Sequence, residues 1–288
     1  MERPTFLTFL TKARTLETLI GTLTTADILP LYYFSRSSWS NNPERCLRNI
    51  LGLMKSETNF IVRSSCKYED TYQNSNAGAY LSLPDVRSCD LSQAIEDVFT
   101  SYNNDHLDDE VLVQPMLENV VMSGVAFSHD TQTCAPYRTI NWSKGSGTAD
   151  VTSGNGNTNL WYHAAGSNIM QNREMLPAIS LLEELSMLYD GAPIDCEFAF
   201  TKKSRKTKLW LLQVRPLILK KKRESTNKQL DRLNSIKMKL VSSMNPHPLL
   251  AGEKTAYGIM PDWNPAEILG IRPKPLATSL YRELITDT

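Results

Sequence analysis

An α+β or α/β fold built around antiparallel hairpins is what this sequence predicts, and three stretches predict it. In Ile194 to Leu217, Ile194, Cys196, Phe198 and Phe200 alternate with Asp195, Glu197 and Ala199, the period of a strand with one apolar face. A basic loop leads to a second strand. Strict alternation puts Trp210, Leu212 and Val214 on one of its faces and Leu209, Leu211, Gln213 and Arg215 on the other. Pro216 ends the ladder, since it has no N–H to donate. Pro177 to Tyr189 carries Ile179, Leu182, Leu185 and Leu188 at helical spacing. Val111 to Phe127 reads as two strands flanking a turn near Glu118-Asn119.

The remaining elements follow in order. Thr11 to Leu23 is a helix with Leu16, Leu19, Ile20 and Leu23 on one face, capped by Thr11. Asp27 to Phe34 is a loop entering an apolar strand, and Pro43 to Lys55 is helical through Leu47, Ile50, Leu51 and Met54. Phe60 to Val62 is a short strand running into Arg63-Ser64-Ser65 and then a polar Ser/Asn/Gly stretch. Leu91 to Tyr102 is a helix capped by Asp90. Tyr137 to Asn141 and Trp161 to His163 are strands separated by a Gly/Ser/Asn-rich run. Beyond Pro216 the chain becomes basic and helical over Leu219 to Leu240, and after a proline-punctuated loop a last helix begins at Ala277.

Composition limits the function classes. With 41% hydrophobic and 22% charged residues in a chain of 288, the protein has enough apolar side chain for a real core. Its formal net charge is zero, so no global field favours nucleic acid or an anionic membrane. KKSRKTK and LKKKRE are local basic runs without interleaved aromatic platforms, the pattern of solvated surface. Five cysteines without a C-x-x-C pair argue against a disulfide framework or zinc. They fit a reducing cytoplasm. No run of about 18 apolar residues and no signal-peptide pattern is present. A soluble, cytoplasmic protein is the expectation.

Several residue groups suggest chemistry. Asp195 and Glu197, two positions apart on one strand, project the same way about 7 Å apart. Such a pair suits Mg²⁺, which takes oxygen ligands and shares them with substrate phosphates. Gln213 and Arg215 repeat the spacing on the next strand. An ordinary hairpin whose carboxylates merely pair with Arg215 satisfies the same pattern. Arg63 followed by a loop bearing Ser75 and Gly78 has the parts of a phosphate cradle: guanidinium, hydroxyl and backbone N–H. A plain connection also fits. Lys12, in a first helical turn where a cation opposes the dipole, is suited to a nearby anion or is a surface lysine. Gln114 and Met116 stand between strand and turn, as a hinge facing a flat ligand or as core.

Taken together these segments resemble the N-terminal nucleotide-binding domain of the pyruvate phosphate dikinase and phosphoenolpyruvate synthase family. IVRSSCKYED is similar to the family's VRSSA-x-x-ED, SNAG to S-F-A-G, and VLVQPM to its hinge strand. MSGVAFSHD is similar to SGV-x-F-T-x-D, and DCEFAF with LWLLQVRPL to the closing D-x-E and L-Q-x-R-P pair. The matches run in the family's order over residues 59 to 217. TADVTSGNG and PDWNPAE resemble a subgroup that includes glutamine kinases of capsule phosphoramidate synthesis.

The resemblance implies an α+β, ATP-grasp-like fold. It would have one lobe over residues 1–105, a second over 106–217 with the metal and phosphate hairpin, and a helical extension over 218–288. It implies ATP and Mg²⁺ as cofactors. Lys12, Arg63, Ser75 and Gly78 would hold phosphates, Gln114 and Met116 the adenine, and Asp195 and Glu197 the metal. Gln213 and Arg215 would lie beside the phosphates, with Arg63 and Arg215 the catalytic charges. The implied activity is phosphoryl transfer from ATP to a histidine on a separate swivelling domain, for delivery to pyruvate or another acceptor such as the L-glutamine amide. The partners are then that phosphohistidine domain and an acceptor domain. Two departures stand out. TKA replaces the family's GGKxAxL around Lys12, and none of His106, His129, His163 and His247 sits in a G-G-x-[ST]-H setting. A non-catalytic ATP-binding module, or a basic nucleic-acid-binding protein, are the alternatives.

Overall fold

The computed structural model describes residues 6–66, 80–102, 106–145, 158–167, 172–204, 206–246, 248–249, 251–253 and 269–286. The chain divides into two compact units, Met1–Arg232 and Leu233–Thr288. The first holds two antiparallel sheets.

Four strands form one sheet: β1 (Tyr32–Ser35), β2 (Asn59–Ser65), β3 (Ser82–Arg87) and β4 (Glu110–Pro115), in the order β1-β4-β2-β3. One face carries Phe34, Phe60, Val62, Val111 and Val113 into a core with Trp39, Ile50, Ile95 and Phe99. These last come from α2 (Arg36–Asn41), α3 (Pro43–Leu53) and α4 (Leu91–Thr100). Each such side chain, fully buried, contributes roughly 1.5–3 kcal/mol before entropy is set against it. β4 is buried at every position, because Leu112, on its other face, joins a second core with Ala13, Leu16 and Leu19 of α1 (Lys12–Leu19). A strand covered on both sides reads as a continuous apolar run, which explains VLV. β4 lies beyond residue 105, yet its strand partners are β1 and β2.

The second sheet contains β5 (Val120–Phe127), β6 (Tyr137–Lys144), β7 (Asn159–Ala164), β8 (Ile194–Lys203) and β9 (Lys206–Pro216), in the order β7-β6-β5-β8-β9. Its apolar face, with Ala126, Ile140, Trp142, Ile194, Cys196, Phe198 and Phe200, packs in a core with α5 (Leu176–Leu188). The buried residues of α5 are Ala178, Ile179, Leu181, Leu182 and Leu185. Leu188, expected on that side, is only partly buried against the cluster. Gly124 of β5 has a steric requirement: an added Cβ would lie 2.5 Å from the Asn141 carbonyl oxygen and 2.7 Å from the Phe198 ring.

The β8–β9 ladder corrects one sequence expectation. Glu197 pairs with Gln213, but Phe198 pairs with Leu211, so Leu212 is an extra residue in β9. Such a bulge shifts the alternation by one position. Leu209, Leu211 and Val214 therefore share the core, and Leu212 does not join it. Gln213 and Arg215 stand on the face opposite that core, apart from Leu209 and Leu211. The outer edge of β9 is partly covered: Asp27 N–H donates to the Leu209 carbonyl and its own carbonyl accepts from Leu211 N–H, both at 2.9 Å.

Local capping follows expectation at one helix and not at another. Thr11 Oγ1 accepts from Arg14 N–H at 3.4 Å at the start of α1. Asp90 makes no cap at α4 and accepts instead from Arg87 Nε at 2.9 Å. The basic stretch after Pro216 becomes helical at α6 (Thr226–Ser243), which begins in the first unit and ends in the second. In the second unit α7 (Pro275–Tyr281) precedes one π-helical turn, Arg282–Thr286. Among the described residues no helix is long and apolar enough to cross a membrane.

Candidate functional site

The hairpin β8–β9 sets the site. Antiparallel partners point to the same face of a sheet, and Asp195 is paired with Arg215 as Glu197 is with Gln213. All four side chains thus rise from one patch, on the face away from α5. Arg215 Nε donates to Asp195 Oδ1 at 2.7 Å. Both side chains are largely buried, 17% and 7% exposed, so each neutralises a charge that isolation would make costly.

Arg63 enters from the other sheet. In β2 it shares a face with Ile61 and Ser65, opposite the Phe60 and Val62 core, by simple alternation. Its Nη2 donates to Gln213 Oε1 at 2.9 Å and lies 3.4 Å from Glu197 Oε2. Its Nη1 donates to the Leu212 carbonyl at 2.9 Å. The bulge thus supplies the arginine with a backbone acceptor, one that no motif in the sequence announces. The Arg63 side chain is 11% exposed and that of Glu197 22%. Between the carboxylates, Cys196 points into the core, and burial first, then Asp195 and Glu197, push its thiol far up. It is an inert core residue.

Two further predicted residues lie on the same side of β2 and β4. Ala13 N–H, in the first turn of α1, donates to Ser65 Oγ at 2.9 Å, and Ser65 stands about 7 Å from Arg63 by strand rise. Lys12 is therefore at the helix start that β2 holds, and it is buried, 6% exposed. Glu110 fixes that helix start as well, accepting from Thr11 Oγ1 at 2.7 Å and from Arg14 Nε at 2.8 Å. Gln114 is opposite Ile61, two pairs along from Arg63 and so on the same face. It is 2% exposed, and its Nε2 has no hydrogen-bond partner. Met116 follows β4, is half-buried, and donates its backbone N–H to Asn59 at 2.9 Å. Ser75 and Gly78 lie outside the described residues.

The donor set has a definite chemistry. Among the described residues no three His, Cys, Asp or Glu side chains gather as a metal site. Asp195 and Glu197 alone suit a hard cation that completes its shell with ligand oxygens and water, the habit of Mg²⁺. Two guanidiniums beside them suit phosphate oxygens. A cavity of about 520 Å³ lies elsewhere, lined among others by Arg14, Tyr32, Asn42, Arg45 and Glu110, and by none of the predicted site residues. The basic runs hold cations already engaged. Lys208 pairs with Asp27 at 3.2 Å and lies over the Trp210 ring, and Arg223 donates to the Gly191 carbonyl at 2.8 Å.

No protein-family model matches the chain, and no curated protein does. Among solved structures it is similar to the D-alanine-D-alanine ligase of Helicobacter pylori, at 15% identity and a TM-score of 0.38, covering 78% of this chain and 60% of that one. It is similar to the D-alanine-D-alanine ligase of Coxiella burnetii, at 10% identity and a TM-score of 0.43, covering 72% of this chain and 47% of that one. The L-amino acid ligase of Bacillus licheniformis gives 10% identity and a TM-score of 0.40, covering 72% of this chain and 43% of that one. The chain spans between 43% and 60% of the length of these three ligases.

Proposed function

We propose that this chain is the ATP-binding part of a dikinase-like phosphotransferase with an ATP-grasp-like arrangement of two lobes, expected over residues 1–105 and 106–217 but with β4 of the first sheet crossing that boundary, followed by the extension 218–288. The observation that supports this best is the seat of Arg63. Two stretches about 130 residues apart, VRSS and DCEFAF…LQVRP, each resemble a motif of one family, and Arg63 of the first lies on Glu197 and Gln213 of the second.

In this reading Arg63, Lys12, Ser75 and Gly78 hold the phosphates, and Gln213 and Arg215 orient them. Gln114 offers its unpartnered amide N–H to the base, with Met116 beside it. Asp195 and Glu197 hold Mg²⁺, which when bound neutralises phosphate charge. Phosphoryl transfer demands mainly positioning and charge neutralisation, which these side chains provide. The phosphoryl group would pass to a histidine of a separate domain and then to pyruvate or another acceptor.

One observation favours a second reading, a non-catalytic ATP-binding module: both carboxylates already carry a guanidinium, Asp195 that of Arg215 and Glu197 that of Arg63. Calorimetric titration with ATP, with and without Mg²⁺, tests both. Mg²⁺-dependent binding supports the phosphotransferase, Mg²⁺-independent binding the non-catalytic module, and no binding removes both.

A further inference from the structure

The cavity of about 520 Å³ lies at an edge of the first sheet. There β1 pairs with β4 alone, and Asn42, Arg45 and Asn49 line the cavity from the α3 side as Arg14 does from α1. The spacing i, i+3, i+7 puts the three α3 side chains along one helical face. The volume falls within the range of small-molecule sites, about 300–1,000 Å³. None of the residues assigned to ATP or Mg²⁺ lines it, so it requires an occupant of its own.

The wall has one unmatched charge. Its carboxylate, Glu110, accepts from Arg14 Nε at 2.8 Å and from Thr11 Oγ1 at 2.7 Å, so Glu110 and Arg14 neutralise each other. Arg45 is exposed and has no ion-pair partner among the described residues. The uncharged groups beside it offer both donors and acceptors. Asn49 Nδ2 donates to the Tyr32 hydroxyl at 2.8 Å, which leaves Asn49 Oδ1 to accept and the Tyr32 O–H to donate. Asn42 Oδ1 accepts from Arg45 N–H at 2.9 Å, which leaves its NH₂ to donate. Asn41 adds a further amide.

We propose that this cavity binds an anionic monosaccharide, a hydroxylated ring carrying one phosphate or carboxylate group. The oxyanion lies on the Arg45 guanidinium, whose planar fork suits either group. A sugar hydroxyl is donor and acceptor at once, so a ring of them uses the mixed set on Asn41, Asn42, Asn49 and Tyr32, which a bare anion would leave idle. The half-buried Tyr32 ring supplies an apolar patch for the C–H face of the sugar. Arg14 remains with Glu110. The site stands apart from the phosphotransferase reading and does not depend on it.

The test titrates the full chain, free of nucleotide, with the 6-phosphates and the uronates of glucose, galactose and mannose, with glucose, and with inorganic phosphate, followed by ligand-detected NMR. Binding of at least one anionic sugar is expected. Arg45→Ala, at an exposed helical position, should weaken it about tenfold or more, and Tyr32→Phe, which keeps the ring, about fivefold, each variant first shown to be folded by circular dichroism. A non-hydrolysable ATP analogue with Mg²⁺ should leave the sugar bound. Binding of the phosphates alone, or of the uronates alone, identifies the anionic group. No binding by any anionic sugar, or equal binding in wild type and Arg45→Ala, overturns the site. Glucose or inorganic phosphate binding as tightly as the anionic sugars overturns its assignment, and displacement by the analogue overturns its separateness from the ATP site.

Discussion

Arg63 Nη2 of β2 donates to Gln213 Oε1 of β9 at 2.9 Å, a hydrogen bond between two sheets that share no strand. The same guanidinium reaches the carbonyl of Leu212, the extra residue of the β9 bulge. A single side chain thus measures the separation of the two sheets at the point where the carboxylates stand.

Arg63→Ala should lower ATP affinity at least about tenfold, since one charge-assisted phosphate contact is worth about 1.5–3 kcal/mol. It should also destabilise the fold by about 1–3 kcal/mol, because the guanidinium's hydrogen bonds to Gln213 Oε1 and the Leu212 carbonyl and its contact with Glu197 are lost. Calorimetry on a variant shown to be folded separates the effects. Unchanged ATP affinity would remove the phosphate role.

Glu197→Gln preserves shape and removes one charge from the metal pair. ATP should still bind while the Mg²⁺ dependence weakens, as expected for a cation held by one or two carboxylates and substrate phosphates. Superimposable Mg²⁺ titrations of wild type and variant would make Glu197 a structural partner of Arg63.

Gly124→Ala should destabilise the first unit by about 1–3 kcal/mol. The new Cβ would sit 2.5 Å from the Asn141 carbonyl oxygen and 2.9 Å from Trp142 Cβ, and the paired backbone of β6 has little freedom to retreat. Denaturant midpoints at constant slope measure it, and a neutral result would show that β5 and β6 slide apart at no cost.

Acid should weaken the fold through His129. Burial first, then the nearby Arg138 and Arg223, lower its pKa to about 4 from an ordinary 6.5, while Ser128 Oγ lies 3.0 Å from Nδ1. The unfolded chain takes up this proton first, so the contribution is full above pH 6.5 and is lost progressively as pH falls toward 4. At about 1.4 kcal/mol per pH unit it amounts to up to about 3 kcal/mol. Unfolding free energies of wild type and His129→Asn across that window should therefore differ in slope, the variant being the flatter. Parallel slopes would assign the acid sensitivity to other groups.

By itself the sequence determined the elements whose period is strong and whose neighbours agree with it. The 194–203 strand keeps Ile194, Cys196, Phe198 and Phe200 in the core and Asp195 and Glu197 off it, because alternation is a local property of the backbone. The helix over Leu176–Leu188 and the strands on either side of Asn119, which adopts φ 56°, were legible for the same reason. Tertiary structure decided the rest. The bulge at Leu212 reversed the faces of half of β9, and β4 took its partners from the earlier sheet, both outcomes of pairing with strands distant in sequence. Asp90 was drawn to Arg87 instead of its helix. The placement of Arg63 on Glu197 and Gln213 depends on how the two sheets meet. That meeting is set by non-local packing of apolar side chains, which has no period along the chain to read.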